Sequence, residues 1–200
     1  MDSDDLSAQY RARLPLLHEL RTSLEEGLHE AVEGLVHVDR VTFRVKEVSS
    51  FTRKAASGRY SHPFREIEDQ VAGRVLVFFL SDVEPVSEAA RTRWTAVEDV
   101  RREPERDAEF GYESRHHVFV IPEHEKPEGW VDAGDMPNTF ELQIRTLFMH
   151  AYAEPQHDFG YKNPSDLPRE ERRRLSWVAA SAWGADQAFE EVRRNVGARS

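Results

Sequence analysis

Phe140-Glu141-Leu142-Gln143-Ile144-Arg145-Thr146 sets a carboxylate, an amide and a guanidinium at every second position, then runs directly into a helical stretch. Side chains alternate across a strand, so Glu141, Gln143 and Arg145 share one face while Leu142 and Ile144 point into a core. An acid and a strong cation two pleats apart suit joint handling of a metal ion and a phosphate. An ordinary half-buried strand with a solvated polar face would read the same way. Other clusters must decide.

Three do. Arg44 and Lys46 alternate on one strand face, with Ser50 and Lys54 just beyond. Together they could grip a triphosphate through charge-assisted hydrogen bonds, although a basic edge strand that resists aggregation has the same composition. Glu68-Asp69 stands at the entrance to an apolar run with Arg74 just inside it. Asp69 could take a metal or simply pair with Arg74, since an arginine buried alone is costly. In Phe110-Gly111-Tyr112-Glu113-Ser114-Arg115-His116 a glycine turn presents a ring, a hydroxyl and an imidazole, and an exposed Tyr112 could stack on a base. After the Glu141 strand, His150 and His157 are seven apart, but neither a His-Glu-x-x-His pattern nor a thiolate supports zinc.

The elements that must position these residues follow from periodicity. Tyr10, Leu14, Leu17, Leu24, Leu28, Val32 and Leu35 mark an amphipathic helix over Leu6 to Leu35. Val41 to Val48 alternates as a strand, with Ser49 or Ser50 placed to cap a short helix through Ala56. Gly73 to Leu80 is the continuous apolar run of a covered central strand. A helix over Asp82 to Trp94 and strands over Thr95 to Val100 and His116 to Ile121 follow, then a polar loop from Pro122 to Asn138. Leu147 to Gln156 and Pro168 to Val196 read as helices, Pro168 suiting a first turn. This order predicts one α+β domain over residues 1–200, a mixed sheet with helices packed against it. Within it, 1–40 is an N-terminal helix, 41–162 the core and 165–197 a C-terminal helix.

Composition narrows the function. The 200 residues carry a formal charge of −10, which disfavours wrapping a duplex nucleic acid. Yet residues 44–74 hold seven basic side chains against four acidic ones, an island suited to a small polyanion. There is no cysteine, so thiolate chemistry is excluded. No signal peptide or membrane-length apolar run is evident, so a cytoplasmic location is expected.

In this order and spacing the clusters resemble the RelA/SpoT-type synthetase domain that makes (p)ppGpp, over Val41 to Lys162. The parts that match are Arg44-x-Lys46 with Ser50 and Lys54, Asp69 with Gly73-Arg74, Gly111-Tyr112-x-Ser114-x-His116, and Glu141-x-Gln143-Ile144-Arg145-Thr146 with Met149, Ala153, His157, Tyr161 and Lys162. The resemblance implies a nucleotidyltransferase-like fold with a mixed five-stranded sheet, and transfer of the β,γ-pyrophosphate of ATP to the 3′-hydroxyl of GDP or GTP. It implies that Arg44 and Arg74 sandwich adenine, and that Lys46, Ser50 and Lys54 hold the ATP phosphates. Asp69 would bind Mg²⁺, with Glu141 joining it or taking the hydroxyl proton. Tyr112, Ser114, His116, Gln143, Arg145 and Ala153 would hold the acceptor nucleotide.

The chain departs from that pattern on the acceptor side. Ala108 and Phe110 stand where many members have Lys and Asn, Tyr152 replaces a Trp, and Gln156 replaces a Glu. Two other readings follow: a toxic relative that pyrophosphorylates adenine nucleotides or tRNA 3′ ends, and a nucleotide-binding module without catalysis. No His-Asp pair accompanies His18 or His29, so synthesis without hydrolysis is expected. Trp177 and Trp183 on the last helix could serve a homo-oligomer contact or pack on the chain's own core.

Overall fold

The computed structural model describes residues 3–102, 110, 114–131, 134–156 and 167–197. Helix α1 spans Ser3–Ala31 and buries the expected stripe, including Tyr10, Leu17, Leu24 and Leu28. It ends before Leu35, because the chain turns through Gly34 and His37, both at positive φ. Strand β1 (Val38–Val45) therefore starts earlier than its alternation suggested. Lys46 prolongs the pairing by donating its backbone N–H to Gln70.

Helix α2 covers Val48–Ala55, and its N-cap is Glu47 without a side-chain capping bond. The expected serine cap is thus corrected, for Ser49 and Ser50 lie inside the first turn. The short α3 (Pro63–Glu66) and a 3₁₀ turn (Glu68–Gln70) lead into β2 (Val71–Val77), which is buried on both faces apart from Arg74. Helix α4 (Val83–Arg93), β3 (Ala96–Arg102), β4 (Ser114–Val120), β5 (Thr139–Thr146), α5 (Leu147–Gln156) and α6 (Arg169–Gly197) complete the fold. The segment expected as a polar loop between β4 and β5 in fact buries Trp130 and Met136 in the core.

The five strands lie in the order β1-β2-β5-β4-β3. Only β2 and β5 are parallel. This order inserts β5, late in sequence, between two strands formed earlier. It creates two rows across the polar face. One runs Arg44, Ala72, Glu141, Val118, Glu98, and the next runs Thr42, Arg74, Gln143, His116, Val100. Residues 16 to 69 positions apart thereby become neighbours.

The opposite face packs Phe43, Leu142, Ile144, Phe140 and Phe119 into the apolar core, with Trp94 edge-on to Phe140. Gly73 is required there. A Cβ at this position would lie 2.5 Å from the Phe43 ring and 2.9 Å from Leu142. Helix α6 is tied to the far end of β5 by a buried hydrogen bond from Thr146 Oγ1 to Asp186 Oδ2, 2.6 Å. Glu190 also accepts from the Ser81 backbone and hydroxyl at the start of α4.

Candidate active site

The two sheet rows converge on a recess of about 150 Å³ lined by Lys54, Glu68, Asp69, Glu98, His116, Val118 and Glu141. Asp69 sits on the 3₁₀ turn before β2 and receives two ammonium groups. Lys46 Nζ lies 2.5 Å from Oδ2, and Lys54 Nζ lies 2.9 Å from Oδ1. The strand end supplies Lys46 and α2 supplies Lys54, so the short helix bends the basic cluster back onto the acid. Burial pushes the Asp69 carboxyl up, but the bonds and charges of the two lysines outweigh it and hold the group below its ordinary range. Glu68 moves the other way, raised by burial and by the nearby Glu98 and Glu141 carboxylates.

This overturns the pairing of Asp69 with Arg74. Arg74 lies one row along, and its Nη1 is 2.7 Å from Glu154 Oε2 on α5. Arg44 and Arg74 do share a small recess of about 70 Å³ with Thr42, Gly73 and Gln143. Ser50 stays on the first turn of α2, where its hydroxyl is 3.5 Å from Arg53 Nη2.

Glu141 occupies the other wall. Its Oε1 lies 2.7 Å from His116 Nδ1 and 3.1 Å from Gln143 Nε2. A carboxylate can only accept, so His116 carries its proton on Nδ1. Burial raises the Glu141 carboxyl, yet those hydrogen bonds and the charge of His116 bring it below the usual glutamate value. Gln143 in turn accepts from Arg145 Nη2, and Arg145 is only 3% exposed.

Of the residues expected to hold the acceptor, Ser114 and Ala153 are buried. Tyr112 lies outside the described residues, as do Ala108, Glu109, His157, Tyr161 and Lys162. Phe110 is described, and its ring meets Trp183 of α6 edge-on at 5.6 Å. Sequence reasoning missed Glu98, which only the β3–β4 register brings to the recess, and Glu154, whose link to Arg74 spans 80 residues. Tyr10 was read as core alone, whereas its hydroxyl also donates to the Lys46 carbonyl at 3.0 Å.

Among the described residues the arrangement offers no activated nucleophile. It offers cations for phosphate oxygens and two carboxylates held in fixed attitudes, which is the equipment of a phosphoryl-type transferase that works by positioning. Residues 43–166 match the region found in RelA / SpoT proteins, and the chain belongs to that family. Among relatives, GTP pyrophosphokinase YjbM of Bacillus subtilis (strain 168) is 32% identical over 187 residues, covering 90% of this chain and 84% of that protein. The small alarmone synthetase 1 of Bacillus subtilis bound to its product pppGpp superposes with a TM-score of 0.71 at 26% identity, covering 94% of this chain and 97% of that one. The same synthetase bound to AMPCPP gives 0.67 at 26% identity, with the same coverage.

Proposed function

We infer that the chain is a (p)ppGpp synthetase that moves the β,γ-pyrophosphate of ATP to the 3′-hydroxyl of GDP or GTP. The observation that carries this is the shared recess of Asp69, gripped by Lys46 and Lys54, and Glu141, held by His116 and Gln143. The named activity of YjbM and the pppGpp and AMPCPP held by the Bacillus synthetase support it.

In this reading Arg44 and Arg74 flank the adenine, whose flat face suits two guanidinium planes. Lys46, Lys54 and Ser50 turn to the triphosphate. The lysines already sit on an anionic oxygen pair, so ATP exchanges one set of anionic partners for another. The acceptor's 3′-oxygen attacks the β-phosphorus, the bond to the α-phosphate bridging oxygen breaks, and AMP leaves. Glu141 takes the hydroxyl proton. Tyr112, Ser114, His116 and Ala153 form the acceptor side.

The site suits Mg²⁺. Magnesium uses one or two carboxylates and takes its remaining ligands from substrate phosphates and water. Asp69 and Glu141 supply that number of hard oxygens, and no group of three or more candidate ligands occurs among the described residues. Bound there, the ion would neutralise charge building on the transferring phosphates. The proposed setting is the cytoplasm, where ATP and guanine nucleotides meet. No described helix is long and apolar enough to cross a membrane. Trp177 is 72% exposed on α6 and is therefore not core. Phe189, Val192 and Val196 are also exposed further along α6, and we assign the apolar surface of this helix to contact with a second copy of the chain.

The deciding test is Glu141→Gln, assayed for 3′-pyrophosphorylated product and for binding of a non-hydrolysable ATP analogue. Lost turnover with retained binding supports the reading. Equal turnover in both proteins would end it.

A further inference from the structure

Glu141 is satisfied on one oxygen only. Oε1 accepts from both His116 and Gln143, while Oε2 accepts no hydrogen bond from any described residue. The two carboxylate oxygens are thus already assigned different work before any nucleotide arrives.

The Gln143 amide explains how that assignment is kept. An amide presents an acceptor at one end and donors at the other, and it could in principle face Glu141 either way. Arg145 removes the choice. A guanidinium only donates, so the Gln143 oxygen must face Arg145 and its NH₂ must face Glu141. Arg145 itself is packed into the protein at the end of β5, one residue before Thr146, which is locked to Asp186 on α6. Arg145 does not line the recess that holds Asp69 and Glu141; it lines a separate one of about 390 Å³ with Ser114, Ile144 and Met149, so toward Glu141 it acts through Gln143. The three residues lie on one strand face at two-residue intervals, so the line from Arg145 through Gln143 to Glu141 follows from the pleat alone.

We propose that Gln143 and Arg145 are positioning residues for the base, not acceptor ligands. Arg145 orients the Gln143 amide, and Gln143 with His116 holds Oε1, so that Oε2 is the atom that meets the 3′-hydroxyl. The hydroxyl O–H breaks toward Oε2 as the 3′-oxygen bonds to the β-phosphorus and AMP departs. This rests on the reading of the site as a 3′-pyrophosphotransferase.

Two variants test it. Gln143→Glu keeps the partner of Arg145 but withdraws the donor from Glu141 and sets a like charge beside it. Arg145→Lys keeps the charge but loses the planar fork. Each is expected to lower kcat about ten- to hundredfold with KM for ATP, GDP and GTP within about twofold of wild type. The acid limb of the kcat–pH profile should move upward, most in Gln143→Glu, because Glu141 loses a bond to its charged form. Arg145 is buried, so its variant is compared only if circular dichroism and the melting temperature show a folded protein. Gln143→Glu, at a half-buried position, carries the test otherwise. A raised acceptor KM at unchanged kcat and unchanged pH limb would make these residues acceptor ligands and overturn the proposal, as would no change at all. If wild type makes no 3′-pyrophosphorylated product, the functional reading fails and the positioning role with it, whereas an active wild type with unaffected variants overturns the positioning role alone.

Discussion

At Glu141 and Asp69 the same residue class does different work because the neighbours differ. Glu141 has neutral-amide and imidazole donors on one oxygen, whereas Asp69 has an ammonium on each. Glu141→Gln should cut turnover by about a hundredfold or more while leaving ATP-analogue affinity nearly intact. The depressed Glu141 pKa has a direction in activity too: the base stays ionised as pH falls, so kcat should decline only below the ordinary glutamate range. For stability the sign is set by Asp69. Its folded pKa is lowered, so its ion pairs add stability above the unfolded value of about 3.9 and lose it as pH falls through the lower folded value. Urea unfolding should therefore find wild type more stable than Asp69→Asn at pH 6, with the gap shrinking towards pH 3. A gap that widens on acidification would contradict this.

Elements turn these residues into a site through register. The helices and strands were largely legible in the sequence, since α1, β2, β5 and α5 follow apolar periodicities that the structure keeps. Boundaries shifted where turn geometry intervened, as at His37, and where Glu47 rather than a serine capped α2. Strand order was not legible from periodicity, because nothing local in β5 says that it inserts between β2 and β4. Hence periodicity gives no sign of Glu98 at the site, and it allows a pairing of Asp69 with Arg74 although the pleat turns Arg74 towards Gln143 and Glu154. The core residues of the site were legible as motifs: Lys46, Lys54, Asp69, His116 and Glu141 all reach one place. Two element-level tests follow. Gly73→Ala should destabilise the fold by about 1–3 kcal/mol in urea, since its Cβ meets Phe43 and Leu142 across the β1-β2-β5 face. Thr146→Val leaves Asp186 buried without that donor and should cost about 1–3 kcal/mol. A Gly73→Ala protein as stable as wild type would mean the sheet relaxes freely there.

Over the whole molecule, a net charge of −10 surrounds a cluster of cations that we assign to phosphates. The surplus acid disfavours long polyanions, while Arg44, Lys46, Lys54 and Arg74 keep a small one attractive. The exposed apolar surface of α6 leads to an expected mass above the 23.1 kDa chain in sedimentation, reduced towards a single chain by Trp177→Glu. A single-chain mass for wild type would remove that contact. Phe110, which meets Trp183 edge-on, stands beside the turn that we assign to the acceptor, so the choice of acceptor is the sharpest test of the proposed function. The most direct measurement gives the purified protein Mg²⁺ and γ-labelled ATP with GDP, GTP, ATP or deacylated tRNA in separate reactions, and resolves the products. Label is expected on GDP and GTP, with release of AMP. Label reaching only tRNA or an adenine nucleotide, or no acceptor at all, would contradict the proposed function.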